Sequence, residues 1–393
     1  MRLFEPYVLA GKLRLENRIV MPAVVTRLAT TEGGVTDDLV ERYRLYADGG
    51  TALVIIEAIS VAQQKSGQLL RLNDDEFVPG LRHLTEVIHD QTGAKVAPQI
   101  LHFLKKARSG YRQKVEDLSV EEIRALPGMF ASAAYRARQA GFDAVELHFA
   151  HAYTMASFLS RHNTRKDEYG GSLERRMRLA VEVVEATRAA VGEDFVLGCR
   201  VCGDEFTLQG NTLLQSRAIA LRMAGLGLDY VSVSAGGKFE DATAREGESL
   251  DPYTGYSGAR AMPPRHMPEK VNVYLAADIR AALRAAGHET PVIAAGRIPS
   301  AEVAESVLAA GEADLVGVAR PTICDPYWPR KSAEGREGDI LKCTYCNECR
   351  EAEGRYEEVV CRQWTRRDGS QAPPTLDGTG RDTPMACPPS TPR

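Results

Sequence analysis

The sequence predicts an α/β protein: a (β/α)8 TIM barrel with a C-terminal cysteine-cluster extension and a disordered tail. Three observations predict it. Short apolar runs rich in β-branched residues recur eight times, amphipathic segments lie between them, and the pattern ends near residue 330. The runs are Arg18–Val25, Ala52–Val61, Lys95–Ile100, Phe142–His148, Phe195–Cys202, Leu228–Ala235, Pro291–Gly296 and Ala313–Ala319. Near-continuous Val/Ile/Leu runs mark strands buried on both faces, as in a parallel sheet. Helical patterns cover Asp37–Asp48, Asp75–Gln91, Ser119–Ala140, Ser172–Val191, Asn211–Ala224, Val271–Ala286 and Ser300–Ala310. Ser300 marks a helix start, while Gly141, Gly225, Gly287 and Gly311 stand just past helix ends. A doubly wound open sheet is the rival, and eight evenly spaced units favour closure.

Two segments interrupt the repeat. Gly236–Lys270 is far longer than an ordinary loop and falls where the sixth βα loop of a barrel belongs, which suggests a functional lid. After the eighth unit comes a cysteine-bearing stretch. The expected division is a barrel over 1–330, a cysteine-cluster segment over 331–364 and a tail over 365–393. The tail is rich in Pro, Gly, Thr and Ser and has too few apolar residues to offset its ordering entropy.

Composition narrows the function. Of 393 residues, 44% are hydrophobic and 26% charged, with 49 basic and 53 acidic side chains and a net charge of −4. That balance argues against a dedicated binder of nucleic acid or of anionic membranes. No apolar stretch approaches the roughly 20 residues of a membrane span. The N-terminal MRLFEPYVLAGKLRLENR lacks an apolar signal core, so a cytoplasmic location is expected.

In a barrel, chemistry gathers at the C-terminal ends of the strands. Gln99 falls at the end of the third strand, His148 of the fourth and Arg200 within or at the end of the fifth. Met21–Val25 ends the first strand, and Glu57 and Ala58 lie near the end of the second. Gly296-Arg297 and Ala319-Arg320 end the last two, where barrels commonly hold a phosphate on backbone N–H groups. A phosphate at one side of the mouth, with Gln99 and Arg200 near its centre, suits a planar hydrogen-bonding ring. Glu57, inside a hydrophobic strand, reads as a structural carboxylate, and His102 is as consistent with a structural role as with a functional one.

The stretch GFDAVELHFAHAYTMASFLSRHNTRKDEYGGSLERR (Gly141–Arg176) resembles the signature of the old yellow enzyme family of FMN oxidoreductases. NRIVMPAV, GGTALVIIEAISV, PQILH, AAGRI and VGVARPTICDP are similar to the same family, in the same order, across the barrel. The resemblance implies FMN across the barrel mouth. Gln99 and Arg200 would bond its ring edge, flanked by the backbone of Pro22, Ala23, Val24 and Ala58. Gly296, Arg297, Ala319 and Arg320 would hold its phosphate. His148 and His151 would grip a substrate carbonyl oxygen, and Tyr153 would donate a proton. The implied reaction reduces the C=C bond of an enone or enoyl substrate with electrons from NAD(P)H, in a homo-oligomer. Val25 stands where members of the family often carry Thr, Cys or His, and Ala319 where a glycine is usual, which implies a lower flavin potential and a tighter phosphate site.

The thiols of KCTYCNECREAEGRYEEVVCRQW are spaced C-x2-C-x2-C-x11-C: Cys343, Cys346, Cys349 and Cys361. That spacing suits a [4Fe–4S] cluster, with structural zinc or an empty thiol patch as the alternatives. Cys199, Cys202 and Cys324 are expected to be inert core thiols. The arrangement is similar to the FMN/iron–sulfur barrels of trimethylamine dehydrogenase and 2,4-dienoyl-CoA reductase. No G-x-G-x-x-G follows the cysteines before Arg393, so electrons are expected from NAD(P)H directly or from an electron-transfer partner protein. Two other activities remain open: oxidative C–N cleavage of an amine, and a Schiff-base aldolase using Lys238.

Overall fold

The computed structural model describes residues 1–63, 67–104, 114–237, 258–365 and 370–377. A hairpin, β1 (Tyr7–Leu9) and β2 (Leu13–Leu15), precedes eight parallel strands. These are β3 (Ile19–Met21), β4 (Leu53–Ser60), β5 (Lys95–Leu101), β6 (Ala144–Phe149), β7 (Val196–Cys202), β8 (Tyr230–Ser234), β9 (Val292–Ala295) and β10 (Leu315–Gly317). Pairing of β10 with β3 closes the sheet into a barrel. The helices are α1 (Asp37–Asp48), α2 (Val78–Gln91), α3 (Val120–Gln139), α4 (Thr154–Leu159), α5 (Leu173–Val191) and α6 (Leu213–Gly225). They continue as α7 (Gly258–Ala261), α8 (Val273–Ala285), α9 (Ala301–Ala309), α10 (Arg320–Cys324), α11 (Trp328–Ala333) and α12 (Glu348–Gly354).

The apolar strand runs hide a period of two. Leu53 and Ile55 face the barrel interior with Val20, Ala97, Val196 and Ile293, whereas Val54 and Ile56 face the helices. The interior is a filled core rather than a pore. Leu9 and Leu15 of the hairpin plug its lower end, fully buried in that same cluster. Tyr230 fills the barrel because Gly198 leaves it room: a Cβ at Gly198 would lie 2.2 Å from the Tyr230 ring.

An aspartate precedes three of the four alternate strands, β6, β8 and β10, at the lower end. Asp143, Asp229 and Asp314 accept the backbone N–H of Val96, Leu197 and Val292 on the preceding strand, at 2.8, 2.8 and 2.9 Å. Cations complete each of them: Lys95, Arg188 and Arg280 lie within 3.4, 2.6 and 3.0 Å. Charge at this end serves register and stability, which leaves the upper end for chemistry.

The chain beyond the barrel folds back over the upper end. Lys331 and Asp325, both fully buried, form an ion pair of 2.9 Å, and Asp325 also accepts the N–H of Leu341 at 2.8 Å. Arg42 on α1 donates to the Val359 carbonyl at 2.6 Å, and Val359 N–H donates to Thr26 at 2.9 Å. Residues 370–377 lie within the stretch expected to be unstructured, yet they return to the protein: Arg336 donates to the Leu376 carbonyl at 2.9 Å. Residues 366–369 and 378–393 lie outside the described residues, as do 238–257 of the expected lid.

Replacing Lys331 by Met should strand the buried Asp325 charge and cost about 3–5 kcal/mol, read as a lowered thermal midpoint. An unchanged midpoint would show that the pair contributes nothing to anchoring the extension.

Candidate active site at the barrel mouth

A polar layer caps the apolar interior. Gln99, Glu146 and Arg200 come from β5, β6 and β7, where Gln99 pairs with Glu146 and Arg200 with His148 in register. Gln99 Nε2 donates to Glu146 Oε1 at 2.7 Å. Burial pushes the Glu146 carboxyl up, against the opposing pull of the Arg200 charge and the Gln99 hydrogen bond. Arg200 donates to Ser232 Oγ at 3.3 Å and to Ser234 Oγ at 3.2 Å. Glu146 escaped the sequence reading, although an acid two residues before His148 in an apolar strand was a usable signal.

The exit of β6 delivers the two imidazoles and the phenol together. The His148 ring centroid is 5.1 Å from His151 and 5.2 Å from Tyr153. The turn is tight: His151 and Ala152 both take left-handed φ values, 60° and 61°. Three contacts hold it. His151 bridges to Gly237, where a Cβ would come within 2.7 Å of His151 Cα. The His151 N–H donates to Cys202 Sγ at 3.4 Å, and that thiol donates to the Gly236 carbonyl at 3.0 Å. Burial holds the Cys202 pKa up at about 12, in keeping with the inert thiol expected there. Ser234 Oγ also lies 2.7 Å from His151 Nε2, so one hydroxyl ties Arg200 to His151. His102 is turned to structure: its ring shares a 3.0 Å hydrogen bond with Thr154, and burial holds its pKa down at about 4.

A cleft of about 1190 Å³, open to solvent at its mouth, runs across this layer. Pro22, Ala23, Val24, Arg200, Gly296 and Ala319 line it, and His151 and Tyr153 stand at the same cleft. Ala58, Gln99 and His148 do not form its lining; Ala58 packs instead with Leu69, Leu101 and Phe103, against Val25 and Tyr153. Arg297 and Arg320 line one end. Their guanidiniums are not aimed only at open space. Arg297 donates to the carbonyls of Pro264, Arg265 and Met267, and Arg320 to the Pro263 carbonyl and Asn347 Oδ1. Arg297 Nε is buried with no partner among the described residues, which leaves a donor for an anionic ligand. Arg297 and Gly296 have φ of 57° and 121°, and glycine is required at the second because a Cβ would also press within 2.7 Å of Asn272.

A second cavity, of about 310 Å³, is lined by all four of Cys343, Cys346, Cys349 and Cys361, and by Arg320. No three His, Cys, Asp or Glu side chains converge on a single-ion site among the described residues. Cys324 is the buried core thiol expected from the sequence, and it also sits against Cys361 and Leu341 and accepts from Gln363 Nε2 at 3.2 Å. The segment returns to a barrel end in which Trp364 donates to the Cys324 carbonyl, so proximity comes from the fold and not from sequence spacing. Lys238 lies outside the described residues.

A closed (β/α)8 barrel whose mouth combines a ring-sized polar floor with a cationic end is a cofactor-dependent enzyme scaffold. The chain matches the NADH:flavin oxidoreductase / NADH oxidase family over residues 2–119 and 109–339, and it belongs to that family. It is 36% identical over 358 residues to an NADH oxidase of Thermoanaerobacter brockii, an alignment spanning 86% of this chain and 52% of the relative. This chain therefore spans about half the length of that relative. An NADPH dehydrogenase of Geobacillus sp. (strain WCH70) is 33% identical over 349 residues, 84% of this chain and 94% of the relative. The solved structure of 2-naphthoyl-CoA reductase with 2-naphthoyl-CoA superposes with a TM-score of 0.81 at 25% identity, covering 92% of this chain and 56% of that one.

Glu57 supports the loop that lines the cleft. One of its oxygens accepts from Thr26 N–H at 2.7 Å and from Tyr43 at 3.3 Å, while Oε1 has no partner among the described residues. A register shift between Ile56 and Ala58 turns Glu57 outward against α1. Burial raises its pKa from 4.5 to about 7. A carboxyl with a raised folded pKa contributes stability that is complete below the unfolded value and lost as pH rises through about 7. Glu57→Gln should therefore raise the thermal midpoint over wild type at about pH 8, with the difference shrinking towards about pH 4. A difference independent of pH would show that the carboxyl is ionised throughout.

Proposed function

We propose that this chain is an FMN-dependent oxidoreductase that reduces the C=C bond of an α,β-unsaturated carbonyl compound with electrons from NAD(P)H. One observation carries it: Arg200, two phosphate-compatible arginines, and His151 and Tyr153 all border a single cleft. The residues fit the cofactor. Arg200 would meet the polar edge of the ring, with the backbone of Pro22, Ala23 and Val24 beside it and Ala58 and Gln99, the latter held by Glu146, behind. Gly296, Arg297, Ala319 and Arg320 would meet the phosphate, for which the unpartnered Arg297 Nε is suited. FMN held there supplies hydride transfer between nicotinamide and substrate.

The chain's own groups do the rest. Arg200, fixed by two serines and screened from water, stabilises negative charge on whatever its outer face meets. Ser234 accepts from Arg200 and shares a 2.7 Å hydrogen bond with His151 Nε2, which fixes the imidazole ring at the cleft. His151 would present an imidazole N–H donor to a carbonyl oxygen, drawing electron density from the conjugated alkene, with His148 packed behind it at 5.1 Å between ring centroids. Tyr153 O–H delivers the proton to the α-carbon. Glu353 is the carboxylate among the described lining residues, and it is paired with Arg27 at 2.5 Å, so an amine cation finds no ready counter-charge. This favours the carbonyl reading over oxidative amine cleavage.

The four cysteines around one cavity, at a spacing of C-x2-C-x2-C-x11-C, support a [4Fe–4S] cluster over zinc. Such a cluster supplies single-electron transfer, and an electron-transfer partner protein or a longer chain is the corresponding source or sink. Tyr153→Phe should leave flavin reduction by NAD(P)H intact and slow reoxidation by an enone by about 10²–10⁴-fold. Rapid-mixing measurement of the two half-reactions checks this; equal slowing of both would remove Tyr153 from the role of proton donor.

A further inference from the structure

The two cavities share a wall, and the wall is built from the residues between the cysteines. Arg320 and Cys349 line both cavities, and Tyr345 lines the larger one. The Tyr345 ring stands against both arginines at the cationic end, 4.9 Å from the Arg297 guanidinium carbon and 4.7 Å from that of Arg320. Two guanidiniums repel each other, and an aromatic face between them offsets part of that repulsion by cation–π attraction. Asn347, two residues on, accepts from Arg320 at 2.6 Å through Oδ1 and donates to the Met262 carbonyl at 3.0 Å through Nδ2. Tyr345 and Asn347 both adopt left-handed backbone conformations, with φ of 57° and 64°. Non-glycine residues rarely do so, and the turns place both side chains towards the barrel instead of leaving them on the surface.

The Tyr345 hydroxyl is buried with no hydrogen-bond partner among the described residues, so the ring is the working part of this side chain. Arg320 is likewise buried, between the thiols on one side and the cationic end of the cleft on the other. A buried cation in that position needs its orientation fixed, since no bulk water compensates an arginine that swings away.

We propose that Tyr345 and Asn347 are positioning residues that hold Arg297 and Arg320 for the phosphate of FMN, so that the cysteine segment sets the affinity of the barrel for its cofactor. This rests on the assignment of the cleft to FMN made above. Because the coupling is a binding free energy it is reciprocal: bound phosphate also orders the segment that carries the cysteines.

Riboflavin, which has the same ring and no phosphate, provides the discriminating probe. Fluorescence titrations with FMN and with riboflavin are run on the full chain and on Tyr345→Phe, Tyr345→Ala and Asn347→Ala. Wild type and Tyr345→Phe should prefer FMN to the same extent, since the ring is kept. Tyr345→Ala and Asn347→Ala should each lose FMN affinity by about fivefold or more, with riboflavin affinity unchanged. An undiminished preference for FMN in both alanine variants overturns the proposal. Equal weakening of both flavins also overturns it, because that is general loss of structure and not loss of phosphate positioning. Wild-type protein that binds neither flavin sinks the assignment of the cleft itself, a result separate from either.

Discussion

Arg200 is only 8% exposed on the floor of the barrel mouth, and keeping a guanidinium there constrains everything around it. Beneath it lies an apolar interior filled by Tyr230, Val196, Ile55 and their neighbours, which offers no hydration. The charge is tolerable because Glu146 supplies an opposite charge and the Ser232 and Ser234 hydroxyl oxygens accept hydrogen bonds from it. Glu146 in turn is held by Gln99, so three adjacent strands present one pre-formed polar surface. Water excluded from below makes electrostatic interactions at that surface stronger than in solution. The same network extends through Ser234 to His151, so Arg200 on the floor and His151 at the cleft are set by one hydroxyl.

The second organising feature is the way the cysteine extension is fastened. Arg27 in the loop after β3 pairs with Glu353 on α12 and stacks over Tyr356 at 4.4 Å, and Arg42 bonds Glu358 and stacks over Trp364 at 5.0 Å. Arginines from the barrel thus grip the extension at several points, and the buried Lys331–Asp325 pair secures its entry. The extension consequently forms part of the walls of the cleft, through Tyr345, Cys349, Arg350 and Glu353, instead of hanging from the barrel by a linker. A barrel mouth walled in this way places the thiol-lined cavity directly behind the cationic end of the cleft.

All eight barrel strands could be read from apolar runs because strands buried on both faces have little tolerance for polar residues. The large helices were equally legible, from periodicity and from caps such as Ser119 and Ser300, each of which accepts an N–H three residues on. The hairpin of β1 and β2 was not, since three-residue strands carry too little pattern and Leu9 and Leu15 look ordinary without the barrel they plug. At the mouth, strand ends indicated Gln99, His148 and Arg200, yet nothing local showed that Gln99 and His148 stand behind the cleft wall. Glu146, Ser234 and Tyr345 were missed because their roles arise from partners 47, 34 and 25 or more residues away. Cys324 was read correctly as a core thiol, but not its neighbours, since Cys361 and Trp364 reach it only through the return of the extension.

The central claim is that the polar floor and the cationic end of the cleft together hold one flavin mononucleotide. The most direct test is the visible absorption spectrum of anaerobically purified protein, with flavin extracted, identified and counted against protein. The account predicts a yellow protein that releases FMN, approaching one per chain after reconstitution. Colourless protein that takes up no FMN under the same conditions would contradict it.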